Sequence, residues 1–195
     1  MTSANWSILE FAREIIRALD AAEVPYLLGG SLALITWGEV RTTQDVDFAV
    51  DLSYSKVPRL SEELMKRDMM VPPDIMYDLI EETRIDLAIN AIHPFSGYKA
   101  ELFPLREKDD LRRTALDRRL LVNLGPVIGD AFVHSAEDLI LYKLIYYAIS
   151  RQTKHARDIA SILRRTTAVD YSYIESWAAR KEVLDVWQEL RSAQP

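Results

Sequence analysis

Residues 29–50 read GGSLALITWGEVRTTQDVDFAV. The segment DVDFAV alternates acidic and apolar side chains, the pattern of a strand with one buried face. Side chains at i and i+2 of a strand share a face, so Asp45 and Asp47 point one way while Val46 and Phe48 point into the core. Their Cα atoms would lie about 6.6 Å apart. Two unit charges at that spacing repel by about 2–3 kcal/mol in the effective dielectric of a protein surface. A divalent cation would remove the repulsion, and carboxylate-bridged ion pairs clamp the attacking and leaving oxygens of a phosphoryl displacement. A D-x-D on a half-exposed strand can also simply face solvent.

The rest of the constellation extends to both sides. Gly29 and Gly30 can form a tight turn; if a helix starts there, its free N–H groups and the Ser31 hydroxyl form an anion site that glycines let a phosphate approach. Further on, RIDLAIN (84–90) puts Asp86, Ala88 and Asn90 on one strand face and Ile85, Leu87 and Ile89 on the other. Asp86 is therefore the expected third carboxylate. An anion cradle beside a cation site suggests a metal–nucleotide substrate.

Around this stretch the first hundred residues alternate helix and strand. Ile8, Phe11, Ile15 and Leu19 recur at helical spacing, VPYLLGG is extended, SLALITWG helical, QDVDFAVDL a strand, SKVPRLSEELMKRDM a helix and TRIDLAINAI a strand. REKDDLRRTALDRRL then reads as helix, and LLVNLG and VIGDAFVH as short strands around a Gly-Pro turn. From Ser135, an expected N-cap with Glu137 and Asp138 in its first turn, everything is helical. The fold class is α/β (α+β), a mixed twisted sheet flanked by helices. The expected organisation is a catalytic core over 1–134 and a helical region over 135–195 that completes the substrate cleft.

The totals fit this. With 49% hydrophobic and 28% charged residues the 195-residue chain can bury a real core and is not disordered. It has no cysteine, which excludes disulfides and thiolate-bound zinc. The N-terminus lacks a signal-peptide pattern, and LILYKLIYYAI is too short and too charged to span a membrane, so the expectation is a cytoplasmic chain without membrane attachment. The net charge of −6 argues against broad nucleic-acid binding, although residues 1–100 carry net −7 and residues 101–195 net +1.

The glycine pair with serine, the pattern R-x-T-x-D-x-D at Arg41, Thr43, Asp45 and Asp47, and a later acid together resemble the nucleotidyltransferase superfamily related to polymerase beta. Over residues 25–165 the likeness is to its small bacterial branch, with AbiEii-type toxins and aminoglycoside or lincosamide nucleotidyltransferases. SAEDLILYK, ending at Lys143, and KHARDIASIL resemble motifs of its second half. His155 stands where relatives carry an acid in K-D-x-x-D-[IV].

The resemblance implies NMP transfer from an NTP to an acceptor hydroxyl or phosphate, with release of pyrophosphate. Asp45, Asp47 and Asp86 would hold two Mg²⁺ (or Mn²⁺) ions, and Asp86 would also orient or deprotonate the acceptor. Gly29, Gly30 and Ser31 would bind phosphates, Arg41 and Thr43 shape the approach, and Lys143 contact the nucleotide or pack its stem on the core. Lys154 and Asp158 would line the acceptor site, or pair with each other at the surface. The acceptor would be a tRNA end, a protein or a small hydroxylated molecule, with a cognate antitoxin if the chain is a toxin. The rival is a non-catalytic nucleotide-binding or regulatory module of the same fold.

Other signals point to plain structure. Arg112, Arg113, Arg118 and Arg119, interleaved with acids, read as a solvated helix face. His93, His134 and His155 lack metal-ligand spacing. Tyr142, Tyr146 and Tyr147 read as helix packing.

Overall fold

A computed structural model describes residues 6–192. The chain opens with α1 (Ile8–Ala21), started by a capping box in which the Ser7 hydroxyl accepts from the Glu10 amide and the Glu10 carboxylate accepts from the Ser7 amide. Six strands follow, interrupted by helices: β1 (Tyr26–Leu28), β2 (Asp45–Val50), β3 (Ile89–Ile92), β4 (Lys99–Pro104), β5 (Leu120–Asn123) and β6 (Asp130–Val133). They form one mixed sheet in the order β3-β4-β2-β1-β6-β5. β2 runs antiparallel to β1 and parallel to β4.

Strand alternation divides the two faces. Tyr26, Leu28, Val46, Phe48, Val50, Ala100 and Leu102 join a core with α1, α3 (Val57–Met65) and α4 (Pro73–Glu81). The opposite face carries Leu27 and Ala49 against Ala115 and Leu116 of α5 (Asp110–Asp117). A second core gathers α2 (Leu34–Trp37), α6 (Ala136–Ser150), α7 (Thr153–Arg165), α8 (Tyr171–Arg180) and α9 (Leu184–Ser192) around Trp187, Leu144 and Ile159. Val46 and Phe48 thus face the core as the alternation requires, and Ser135 caps α6 by accepting from the Asp138 amide.

Three local expectations are corrected. The helix after the glycines spans only Leu34–Trp37: residues 30–33 are turns, and the amides of residues 33–36 mix one i−4 bond, from Ala33, with i−3 bonds from Leu34, Ile35 and Thr36. β3 begins at Ile89, so Asp86 lies in an exposed turn rather than on a strand. Buried Arg106 donates to the carbonyls of Leu79, Glu82 and Leu87, and Arg112 to that of Ile85. These bonds take up backbone acceptors that a strand ladder would otherwise use. Finally, the four arginines expected on a solvated helix face divide: Arg113 and Arg118 are exposed, Arg118 lying over the Tyr173 ring, whereas Arg112 is buried and paired with Asp109 and Arg119 stacks on Phe132.

Candidate active site

β2 puts Asp45 and Asp47 on the face turned toward α5 and α6. Its parallel neighbour β4 is in register, pairing Asp45 with Lys99, Asp47 with Glu101 and Ala49 with Phe103. The acid beside Asp47 is therefore Glu101. Asp86 sits on the far side of β4, and extending the β3–β4 ladder back would set it opposite Leu105, well past Glu101. It does not line the cavity that the other acids share.

That cavity is about 730 Å³ and is bounded by Gly29, Gly30, Ser31, Arg41, Thr43, Asp45, Asp47, Glu101, Lys143 and Lys154, together with Phe103, Tyr142 and Tyr146. Gly30 has φ +58°, and a Cβ there would come within 1.7 Å of Asp47 Oδ2. Glycine is required twice over, by the left-handed backbone and by the approach of the carboxylate. The Gly29 amide donates to Asp47 O at 2.8 Å, which ties the turn to β2, while the Gly30 and Ser31 amides find no backbone acceptor among the described residues. Thr43 fixes the start of β2 by donating its hydroxyl to Asp45 O at 3.0 Å.

The charges inside are not independent. Burial, the neighbouring Glu101 charge and the Asp45 charge push the Asp47 carboxyl up to about 6, against the opposing pull of Lys143. Lys99 reaches Glu101 Oε1 at 2.7 Å and Asp45 Oδ1 at 3.6 Å, and the bond to Glu101 raises its ammonium above the usual lysine range. Among the described residues no three His, Asp or Glu side chains already converge as a metal-holding group. Asp45, Asp47 and Glu101 nonetheless supply hard oxygen donors on one wall, which is the chemistry Mg²⁺ and Mn²⁺ require.

The raised Asp47 pKa sets a stability prediction. A carboxyl whose folded value exceeds its ordinary 3.8 contributes stability below pH 3.8, and that contribution is lost as pH rises through about 6. Asp47→Asn should therefore stabilise the metal-free protein at pH 8 by on the order of 2 kcal/mol, about 4–8 °C in Tm, with no gain near pH 3. Thermal scans across pH in chelator check this; an unchanged or lower Tm at pH 8 would sink it.

The helical region supplies the opposite charge. Lys143, buried on α6, lies 2.9 Å from Asp158 Oδ2 of α7, and Arg41 Nε lies 3.3 Å from Asp158 Oδ1. Burial lowers the Lys143 pKa and the Asp158 charge offsets that. Asp158 itself does not reach the cavity; it stands behind the two cations and fixes them. It is therefore neither a surface partner of Lys154 nor a lining residue. α7 also holds the loop that carries Arg41: Glu39 N donates to Ser161 Oγ at 3.2 Å, and Arg165 to Gly38 O at 2.7 Å.

His155 lines the cavity, stacked on Tyr146 at 5.8 Å, and burial with nearby Lys143 and Lys154 pushes its pKa down to about 4. It is neutral at physiological pH. His134 is packed against Gly29 and Tyr142, and burial drives it to about 3. Phe103, Arg112, Tyr142 and Tyr146 also line the cavity, so two of the tyrosines expected only to pack face open space.

Sequence reasoning missed Lys99, Glu101 and Phe103 because it passed over YKAELFP. The signal was there: Ala100, Leu102 and Pro104 are buried, and of the residues between them Glu101 and Phe103 line the cavity.

No protein-family model matches the sequence, and no curated protein matches it. Solved structures do. The antibiotic-resistance factor ANT(2″)-Ia in solution shares 16% identity at a TM-score of 0.55, over 95% of this chain and 92% of that one. Crystalline ANT(2″)-Ia in complex with adenylyl-2″-tobramycin gives 16% and 0.56, over 95% and 98%. An antigenic nucleotidyltransferase-like protein from Paracoccidioides brasiliensis gives 16% and 0.54, over 95% and 93%. The mixed sheet and its flanking helices match these structures over nearly their whole length, so the chain shares their fold.

Proposed function

We propose that the cavity is the active site of a nucleotidyltransferase, which moves a nucleoside monophosphate from an NTP to a hydroxyl or phosphate of an acceptor and releases pyrophosphate. The observation that carries this reading is the in-register placement of Asp45, Asp47 and Glu101 against the Gly29–Ser31 turn. Glu101 takes the part that the sequence suggested for Asp86.

The three carboxylates would hold two Mg²⁺ or Mn²⁺ ions, which when bound neutralise charge developing on the phosphate oxygens. The free amides of Gly30 and Ser31 and the Ser31 hydroxyl receive the distal phosphates. Lys143 and Arg41, fixed by Asp158, set positive charge at the same substrate before it arrives, so little reorganisation is needed during reaction. A Glu101 carboxylate oxygen takes the proton of the acceptor hydroxyl as the hydroxyl's own oxygen bonds to the α-phosphorus. The α-phosphorus bond to the bridging oxygen breaks, and its electron pair leaves with pyrophosphate.

For the acceptor we favour a small hydroxylated molecule. One protein of like fold is captured with adenylyl-2″-tobramycin. Here Arg112 and Arg118 are tied to internal acids and Arg119 stacks on Phe132, rather than offered as a phosphate-binding face. A tRNA end or protein acceptor, with a cognate antitoxin, would be the toxin form of the same chemistry.

Incubating the protein with each α-labelled NTP, Mg²⁺ and a cell extract fractionated into small molecules, RNA and protein tests both levels. Label is expected in the small-molecule fraction; label in RNA or protein would overturn the acceptor assignment alone. Metal-dependent NTP binding without transfer to any fraction would leave a binding module.

A further inference from the structure

Lys99 precedes Glu101 by two residues on β4 and lies opposite Asp45 in the β2–β4 register. Its ammonium is 2.7 Å from Glu101 Oε1 and 3.6 Å from Asp45 Oδ1, so it spans the two outer acids of the row. Among the described residues no other basic side chain forms an ion pair with Asp45, Asp47 or Glu101. Register explains the placement: Asp45 and Lys99 are directly paired across the strands, and Glu101 is the next residue on the same face.

We propose that Lys99 is the built-in counter-ion of the metal site. It neutralises Asp45 and Glu101 while no divalent ion is bound, must withdraw when one enters, and so sets how readily the site loads. The inference rests on reading the three acids as metal ligands. An ammonium suits the task because it is a single, strongly hydrated charge on a flexible stem. The side chain is 32% exposed, so solvent can receive it when it leaves. A divalent ion, with twice the charge and several carboxylate oxygens to itself, wins the exchange, but against an occupant already in place. The arrangement keeps the acids from repelling each other in the metal-free protein at the expense of metal affinity.

The test is direct Mn²⁺ binding, read by the electron spin resonance signal of free Mn²⁺, on the full chain as wild type, Lys99→Met and Lys99→Arg at one pH and ionic strength. Lys99→Met is expected to bind Mn²⁺ about fivefold more tightly, since a half-exposed competing ion pair is gone. It should also unfold at lower temperature in chelator and recover more than wild type when Mn²⁺ is added. Lys99→Arg, which keeps the cation, should stay near wild type. Should Lys99→Met not fold, Lys99→Gln makes the same comparison. Wild-type or weaker Mn²⁺ affinity in the neutral variant would overturn the proposal and leave the metal reading standing. No Mn²⁺ binding by any of the proteins would overturn both.

Discussion

Glu101→Gln is expected to lower nucleotidyl transfer by about a thousandfold, while Asp86→Asn changes it by less than about twofold. The contrast follows from where the acids stand. Glu101 is paired with Asp47 across adjacent parallel strands, and both line the cavity. Asp86 is exposed in a turn beyond β4 and touches none of that wall. Glutamine keeps the shape of Glu101 but removes a negative donor and a proton acceptor, so the loss should appear in kcat with the protein still folded. Steady-state transfer with the acceptor found in the fractionated extract, alongside a circular dichroism spectrum, checks it. Near-normal turnover in Glu101→Gln, or collapse in Asp86→Asn, would show that the acids had been assigned the wrong way round.

Asp158→Ala should be the most destabilising single change at the site. The carboxylate is 4% exposed and faces Lys143, also buried, on one side and Arg41 on the other. Removing it leaves a buried ammonium without its counter-charge, at about 3–5 kcal/mol and a Tm lower by roughly 6–20 °C. Replacing both partners with apolar groups, as in Lys143→Met with Asp158→Leu, should restore most of that stability because no charge is then left buried. On the proposed role of Lys143 at the phosphates, the double variant should still fail to bind NTP well. Thermal unfolding and NTP titration separate the two effects. A Tm loss below about 2 °C in Asp158→Ala would mean that the cations do not depend on it.

Much of this site was legible in the chain. Gly29, Gly30, Ser31, Asp45 and Asp47 are local to one turn and one strand, and strand periodicity alone aims the two aspartates away from Val46 and Phe48. Arg41 and Thr43 precede that strand by a few residues, and both line the cavity as expected. The long helix carrying Lys143 announced itself through Ser135 and its acidic first turn. The third acid was mistaken because one acid in an apolar run looked like a strand, whereas Arg106 and Arg112 hold residues 79–87 as helix end and loop. β4 is amphipathic, with Lys99 and Glu101 alternating with buried Ala100 and Leu102, so its strand pattern was carried by charged residues on one face. α4, opened by Pro73, was passed over in the same way.

By itself the sequence determined the periodicities: which residues of each element share a face, where α6 is capped, and that a glycine turn precedes the two aspartates. These depend on side chains a few residues apart, whose relation the backbone geometry fixes. Only the tertiary structure decided that β4 rather than β3 lies beside β2, that Lys99 stands between Asp45 and Glu101, and that Asp158 reaches across 117 residues to Arg41. Those are matters of register and of helix docking, set by how the whole sheet and the α6–α7 pair bury their apolar faces, and no local spacing encodes them.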